Sequence, residues 1–192
     1  MQIHHILQYG QIFGNRAWLT IAVVPFAGDE RFREVATDTF ALHMLKQNKF
    51  TVIEPDTVRI KASSIIASVQ GNTITILEAQ KIGQQLNADA VIIGTVTSYN
   101  TGMTLNGWAT VKLVDTRSGE VLASSHRPSG LLIAYSEHQC VVKATERAAE
   151  DMLEVLDQIK QQKNSIQTDQ KVHIKQQPSS PFNKNLKDAT QI

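Results

Sequence analysis

The chain is poor in the residues that covalent cross-links and membrane spans require. Its 192 residues include one cysteine, Cys140, which excludes an internal disulfide. No run of eighteen apolar residues occurs, so we expect no membrane-spanning helix. The formal net charge is only +1, which gives no reason to expect a nucleic-acid partner. These features, with 42% hydrophobic residues, are typical of an ordinary globular protein.

The beginning of the chain lacks the pattern of a secretory signal. Such a signal needs a basic start, an apolar stretch and small residues at a cleavage site. Here Gln2, His4, His5, Gln8 and Gln11 interrupt every short apolar run. The sequence therefore leaves two interpretations open: a cytosolic protein, or a mature or truncated form of an exported one.

What the chain does contain is a succession of apolar strands and amphipathic helices. Residues 17–26 form a nearly continuous apolar run, which predicts a buried strand, and residues 30–47 predict a helix with Asp29 as its N-cap. The next predicted elements are a strand at 50–54, one helical turn near 57–63, a helix at 77–86 and a central strand at 88–99. Alternating side chains at 108–113 and an apolar return at 121–127 predict a hairpin around the turn 115–120.

A last helix is predicted at 137–160, where apolar residues recur at helical spacing. The order strand-helix-strand-helix-strand-strand-strand-helix predicts an α/β fold with a mixed sheet flanked by helices. From Gln161 the composition changes to Gln, Lys, Asn, Ser and Pro, and five lysines against two aspartates give a formal charge of +3 (5 − 2). We therefore expect a flexible N-terminus over 1–16, one α/β domain over 17–160 and a disordered polar tail over 161–192.

No pattern in the sequence predicts catalysis or cofactor binding. His138 and Cys140 are two residues apart on a helix and would point away from each other, so they cannot act as a base and nucleophile pair. None of the six histidines has a partner at the i, i+4 spacing of a metal site, and His43 is expected at the boundary of the core. The loop 25–30 has one glycine and two acids, which disfavours phosphate binding. We expect no catalytic, cofactor-binding or metal-binding residue.

Three segments together resemble a known family: residues 20–26, 88–99 and 111–125. In this order they are similar to the CsgG-like group of bacterial envelope proteins, which includes the curli-secretion channel subunit, the penicillin-binding-protein activator LpoB and relatives of the TolB N-terminal domain. The hairpin from Asp115 to Glu120 is the most specific piece. The resemblance implies a periplasmic α/β domain, associated with the outer membrane, that binds other envelope proteins and is not an enzyme.

The sequence departs from that family in two respects. The connections 100–106 and 128–136 are too short for the spanning strands of the channel subunits, and the acylated cysteine of the lipoproteins does not occur near Met1. The shortened connections carry the residues that we predict for partner binding, unless they serve only to cap the edge of the core. These residues are Tyr99, Met103, Leu131, Leu132 and Tyr135.

Two further functions remain open at this point. A self-associating structural subunit could use an open sheet edge or the last helix as its interface. A cytosolic enzyme or nucleotide-binding protein is the third hypothesis, and stabilisation by a nucleotide would support it.

Overall fold

A computed structural model describes residues 19–68, 73–102, 104–130 and 136–175, with side chains described as far as residue 161. Its strands are β1 (Thr20–Val23), β2 (Ala27–Gly28), β3 (Thr51–Ile53), β4 (Ala90–Asn100), β5 (Leu105–Asp115) and β6 (Val121–Pro128). Its helices are α1 (Arg33–Leu45), α2 (Pro55–Lys61), α3 (Ser63–Ser68), α4 (Ile76–Leu86) and α5 (Glu137–Lys175). In these ranges, no helix combines the length and apolar character needed to cross a membrane.

The strands form one mixed sheet in the order β3-β1-β4-β5-β6, with β2 pairing to β4. Strand β1 runs parallel to both β3 and β4, as strands joined by helical crossovers do. Strands β4, β5 and β6 form an antiparallel meander joined by tight turns. The predicted combination of helix-separated strands followed by a meander is therefore confirmed.

Helices cover the sheet from both sides and make two cores. Ile21, Ile92 and Val111 face α1 and α5 in one core, where Phe40 and Met152 are fully buried. Alternate residues of the same strands point the other way, because successive strand side chains face opposite sides. There they meet α2 and α4 in a second core made of Ala22, Val24, Val58, Ala62, Ala79, Ile82, Ala88, Val91, Ile93 and Val114. The α/β class with a mixed sheet flanked by helices is confirmed, in a three-layer arrangement.

The β5–β6 hairpin follows the predicted alternation. Ala109, Val111 and Leu113 are fully buried under α5, whereas the intervening residues are on the opposite side. The turn is closed by the Asp115 carboxylate, which accepts hydrogen bonds from the Ser118 backbone N–H at 2.6 Å and its hydroxyl at 2.7 Å. The positive φ of 74° at Gly119 explains why glycine occurs in this turn.

The apolar run 17–26 and the loop after it differ from the prediction. The run is not one strand, because β1 ends at Val23 and β2 begins at Ala27, after Pro25. Gly28 has a φ of 100° and lies so close to the Val96 carbonyl that a Cβ atom could not fit. Asp29 is not the N-cap of α1: the helix begins later, at Arg33, with Phe32 at the cap position and no capping side chain.

One helical prediction needs correction and another is confirmed. The single turn predicted near 57–63 is a pair of short helices, α2 and α3, and Pro55 begins the first of them. Helix α4 agrees closely with the predicted range 77–86. Thr75 and Glu78 form a reciprocal capping box at its beginning, and Asn87 ends it in the left-handed conformation with a φ of 53°.

Helix α5 continues to Lys175, well beyond the predicted end near residue 160. No glycine or proline interrupts the sequence between Glu137 and Lys175, and the first proline afterwards is Pro178. Composition suggested a boundary at Gln161, but the backbone has no local signal that ends the helix there. The predicted domain boundaries and polar tail stay predictions, and residues 1–18 and 176–192 lie outside the described range.

Candidate functional site

Among the residues that the structure describes, no helix lies over most of one face of the meander. Helices α2 and α4 cover this face at the beginning of β4, where Val91 and Ile93 are buried. Farther along, the register places Thr97 opposite Trp108 and Thr95 opposite Thr110, and these side chains share the face. We call the part formed by Tyr99, Trp108, Thr110, Lys112 and His126 the open sheet face.

Two rings of the open sheet face, those of Trp108 and His126, are held in position by their neighbours. The Trp108 and His126 rings stack with centroids 5.1 Å apart and planes inclined by 17°. The His126 Nδ1 also lies 2.7 Å from the Thr110 hydroxyl, and this hydrogen bond restricts rotation of the imidazole ring. Trp108 is nevertheless 37% exposed and Tyr99 is 61% exposed. The Trp108–His126 pair is therefore ordered before any partner binds, so burying it at an interface would cost little further conformational entropy.

A small cleft adjoins the open sheet face at the beginning of α4. Its volume is about 280 Å³, and Thr110 and Lys112 form one wall. The opposite wall contains Thr75, whose backbone N–H and hydroxyl both bond the Glu78 carboxylate and lower the pKa of that group. Because a carboxylate already occupies this helix N-terminus, the cleft does not favour an anionic ligand.

The five residues predicted for partner binding have different outcomes. Tyr99 is described and lies on the open sheet face near the β4–β5 turn. Met103, Leu131, Leu132 and Tyr135 lie outside the described residues, and their role stays a prediction. The sequence did not single out Trp108 and His126. Their pairing depends on the β5–β6 register, which sets His126 opposite Thr110 and one step from Trp108.

A second surface lies between the exposed sides of α1 and α5. It is a shallow groove of about 500 Å³, which we call the α1–α5 groove. Its lining residues are Arg31, Glu34, Val35, Asp38, Thr39, Leu42 and His138. Leu42 is 53% exposed and, with Val35, gives the groove its apolar side chains.

Arg31 at one end of this groove is engaged in a charge network. Its guanidinium donates to both carboxylate oxygens of Asp29, and it also donates to Glu137 at 2.9 Å. Ser98 adds a hydrogen bond of 2.9 Å to Asp29. Hydrogen bonding from Arg31 is the main reason why the pKa of Asp29 falls to about 2. These hydrogen bonds connect the loop after β2 with β4 and with the beginning of α5.

The groups that could carry chemistry do not converge. Cys140 is fully buried and His138 is exposed, as expected for residues two positions apart on a helix. His43 is half-buried on α1, the boundary position that was predicted. Among the residues that the structure describes, no three His, Cys, Asp or Glu side chains are grouped as a metal site would require.

Comparison with known proteins gives one family and several similar folds. The model of the FlgO protein family matches residues 36–128, slightly under half of the chain, from α1 to the end of β6. None of the curated proteins matches the chain in sequence. The chain is thus similar to the FlgO family over most of the α/β body.

Three solved structures illustrate the similar folds. Lipoprotein GNA1162 of Neisseria meningitidis is 23% identical with a TM-score of 0.45, covering 57% of this chain and 78% of its own. The PelC dodecamer of Paraburkholderia phytofirmans is 17% identical with a TM-score of 0.45, covering 74% and 88%. The LpoB C-terminal domain of Salmonella enterica is 17% identical with a TM-score of 0.46, covering 64% and 90%.

At these identities the likeness concerns the fold alone. LpoB, which the sequence resemblance named, is among these structures, whereas the curli-secretion part of that resemblance stays a prediction.

Proposed function

We propose that this chain is a non-enzymatic protein-binding module of the bacterial cell envelope. It would act in the periplasm, next to the outer membrane, as an accessory or regulator of secretion or cell-wall assembly. The observation that supports this function best is the open sheet face, where ordered aromatic side chains are exposed beside a sheet that helices cover elsewhere. The FlgO match includes all three strands of this face.

The open sheet face has the composition of a docking surface. Tryptophan and tyrosine carry much of the binding energy at protein interfaces, because they bury a large area with few rotatable bonds. Thr97, Thr110 and Ser124 add hydroxyl groups around the Trp108–His126 pair. Lys112 is the basic residue of this face, so the partner we infer presents a neutral or weakly acidic, partly apolar surface.

A photo-crosslinking amino acid at position 99 tests this function in the cell of origin. We expect it to attach the chain to one envelope protein, whereas the same group at Ile60 should give no such product. Ile60 is a suitable control because it is 76% exposed on α2, away from the open sheet face. The product should disappear when Trp108→Ser is added, while the melting temperature changes little because Trp108 is partly exposed.

Two results would contradict the proposal. Equal crosslinking from positions 60 and 99 would mean that the open sheet face is not a preferred surface. Loss of folding in Trp108→Ser would assign the aromatic pair to stability, and Tyr99→Ser then separates stability from binding because its side chain is more exposed.

A self-associating structural subunit of an envelope complex is the alternative function. The α1–α5 groove supports this alternative, because it is a second exposed surface. It is lined by acidic residues, whereas the open sheet face is aromatic.

A further inference from the structure

We propose that the α1–α5 groove of one copy binds the C-terminal segment 180–192 of a second copy of this chain. The groove offers an apolar floor with acidic groups, and the segment offers apolar anchors with basic groups. This inference concerns a different surface from the open sheet face and does not depend on the function proposed above.

The acidic side of the groove has no compensating ion pair among the described residues. Glu34 and Asp38 are exposed on consecutive turns of α1, and neither forms an ion pair within the described part of the chain. Two like charges at i, i+4 destabilise an isolated helix slightly. Arg31 does not offset them, because its guanidinium is bonded to Asp29 and Glu137. As far as the chain is described, the groove therefore has unneutralised negative charge next to an exposed leucine, Leu42.

The segment 180–192 has the complementary features. Phe182 and Leu186 are four residues apart, the spacing that brings two side chains to one side of a helical turn. Ser180 and Pro181 before them are the residues favoured at the N-cap and first position of a helix. Lys184 and Lys187 follow the two anchors, and their long side chains can reach carboxylates at the rim of the groove.

Helix length decides which copy supplies the segment. His138 lies in the groove near the beginning of α5, and Lys175 ends the helix 37 residues later (175 − 138). At 1.5 Å per residue these positions are about 55 Å apart. A fully extended chain from Lys175 to Leu186 spans at most about 40 Å, at 3.6 Å per residue. Phe182 and Leu186 therefore cannot reach the His138 end of the groove in their own chain, so a neighbouring copy must accept these two anchors there.

Such a contact joins two different surfaces and is therefore heterologous. Each copy would offer one groove and one segment, so the association continues into a closed ring or an open chain. The contact also pairs opposite charges at an exposed site, so it should weaken as the salt concentration rises.

Sedimentation velocity on the full chain tests the inference with two variants. The groove variant is Glu34→Lys with Asp38→Lys, and the segment variant is Phe182→Ser with Leu186→Ser. We expect the unaltered chain to self-associate and each variant to associate at least about tenfold more weakly. The decisive sample is the equal mixture, where an intact segment on one copy meets an intact groove on the other and a heterodimer should form.

The matched control is Glu150→Lys with Glu154→Lys, which reverses two exposed acids on α5 that do not line the groove. It should associate like the unaltered chain. If the groove variant unfolds, Lys184→Glu with Lys187→Glu tests the same charge pairing with an unaltered groove: weaker association than that of the control supports the contact, and association equal to that of the control contradicts it.

Several outcomes would overturn the inference. They are a strictly monomeric unaltered chain, variants that associate as well as the control, and a mixture that does not form the heterodimer. Each leaves the crosslink from position 99 unaffected, so failure here is distinguishable from failure of the proposed function.

Discussion

Gly107→Ala is the substitution that tests most directly how closely α5 packs on the sheet. A Cβ atom at Gly107 would lie 2.5 Å from the carbonyl carbon of Cys140 and 2.6 Å from the backbone nitrogen of Val141. Both are main-chain atoms of α5, so a side-chain rotation cannot relieve the contact. Restoring an ordinary separation of 3.4 Å would need a helix shift of about 0.9 Å (3.4 − 2.5).

The cost of that shift follows from how tightly α5 is packed. Val141, Ala144 and Ala148 are fully buried on the same helix, so moving it away from β5 opens gaps along the core. Overpacking of this kind costs about 1–3 kcal/mol, and alanine regains up to about 1 kcal/mol through the unfolded state. We expect a net loss of about 2 kcal/mol, which lowers the melting temperature by roughly 4–8 °C for a chain of this length.

Thermal and urea unfolding measure the loss, and two other glycines serve as controls. Gly102 has a φ of 79° with no atom within 4 Å of an added Cβ, so Gly102→Ala should cost only the left-handed strain, about 1 kcal/mol. At Gly94 the nearest atoms belong to the Phe26 ring, so Phe26→Leu should partly rescue Gly94→Ala. Cys140→Ala should not rescue Gly107→Ala. Two results would refute the close approach of α5 to Gly107. One is full recovery of stability when Cys140→Ala is added, and the other is a Gly107→Ala variant as stable as the unaltered chain.

Three further predictions concern single groups. Thr75→Ala removes half of the capping box with Glu78 and should lower the free energy of unfolding by about 1 kcal/mol, measured by urea titration. Cys140 should react with a thiol reagent only as fast as the protein unfolds, because its side chain is fully buried; immediate labelling of the folded chain would contradict this. Because the folded-state pKa of Asp29 lies below its ordinary value, its pair with Arg31 stabilises the fold above pH 3.8 and this stability is lost as the pH falls toward 2. Asp29→Asn should remove about 1 kcal/mol of that acid dependence, after allowance for screening at the exposed Arg31; an unchanged profile would contradict the assignment.

The sequence by itself determined the elements whose signals are local. The alternation in β5 and the helical spacing in α5 each arise within one segment, because strand and helix periods decide which side chains can be buried together. The capping residues Thr75 and Asn87 act within one turn of the ends of α4. The mixed α/β class followed from the order of these elements.

Other features depend on residues that only the folded chain brings together. Strand β2 has two residues and exists because β4 pairs with it. The carboxylate of Asp29 was predicted to cap α1, but it bonds Ser98, a partner 69 positions away. The end of α5 was misplaced because composition changes at Gln161 without any residue that interrupts the helix.

The two candidate surfaces belong to this second group. Trp108 and His126 stack because the hairpin register brings them together, and α1 and α5 form a groove although Arg31 and Glu137 are 106 positions apart. Local periodicity indicates which side of a strand or helix is apolar. It does not indicate which of these sides remain uncovered once the strands are ordered in the sheet. That choice is made by tertiary packing, where burial of the strongest apolar faces leaves the weaker ones exposed to solvent.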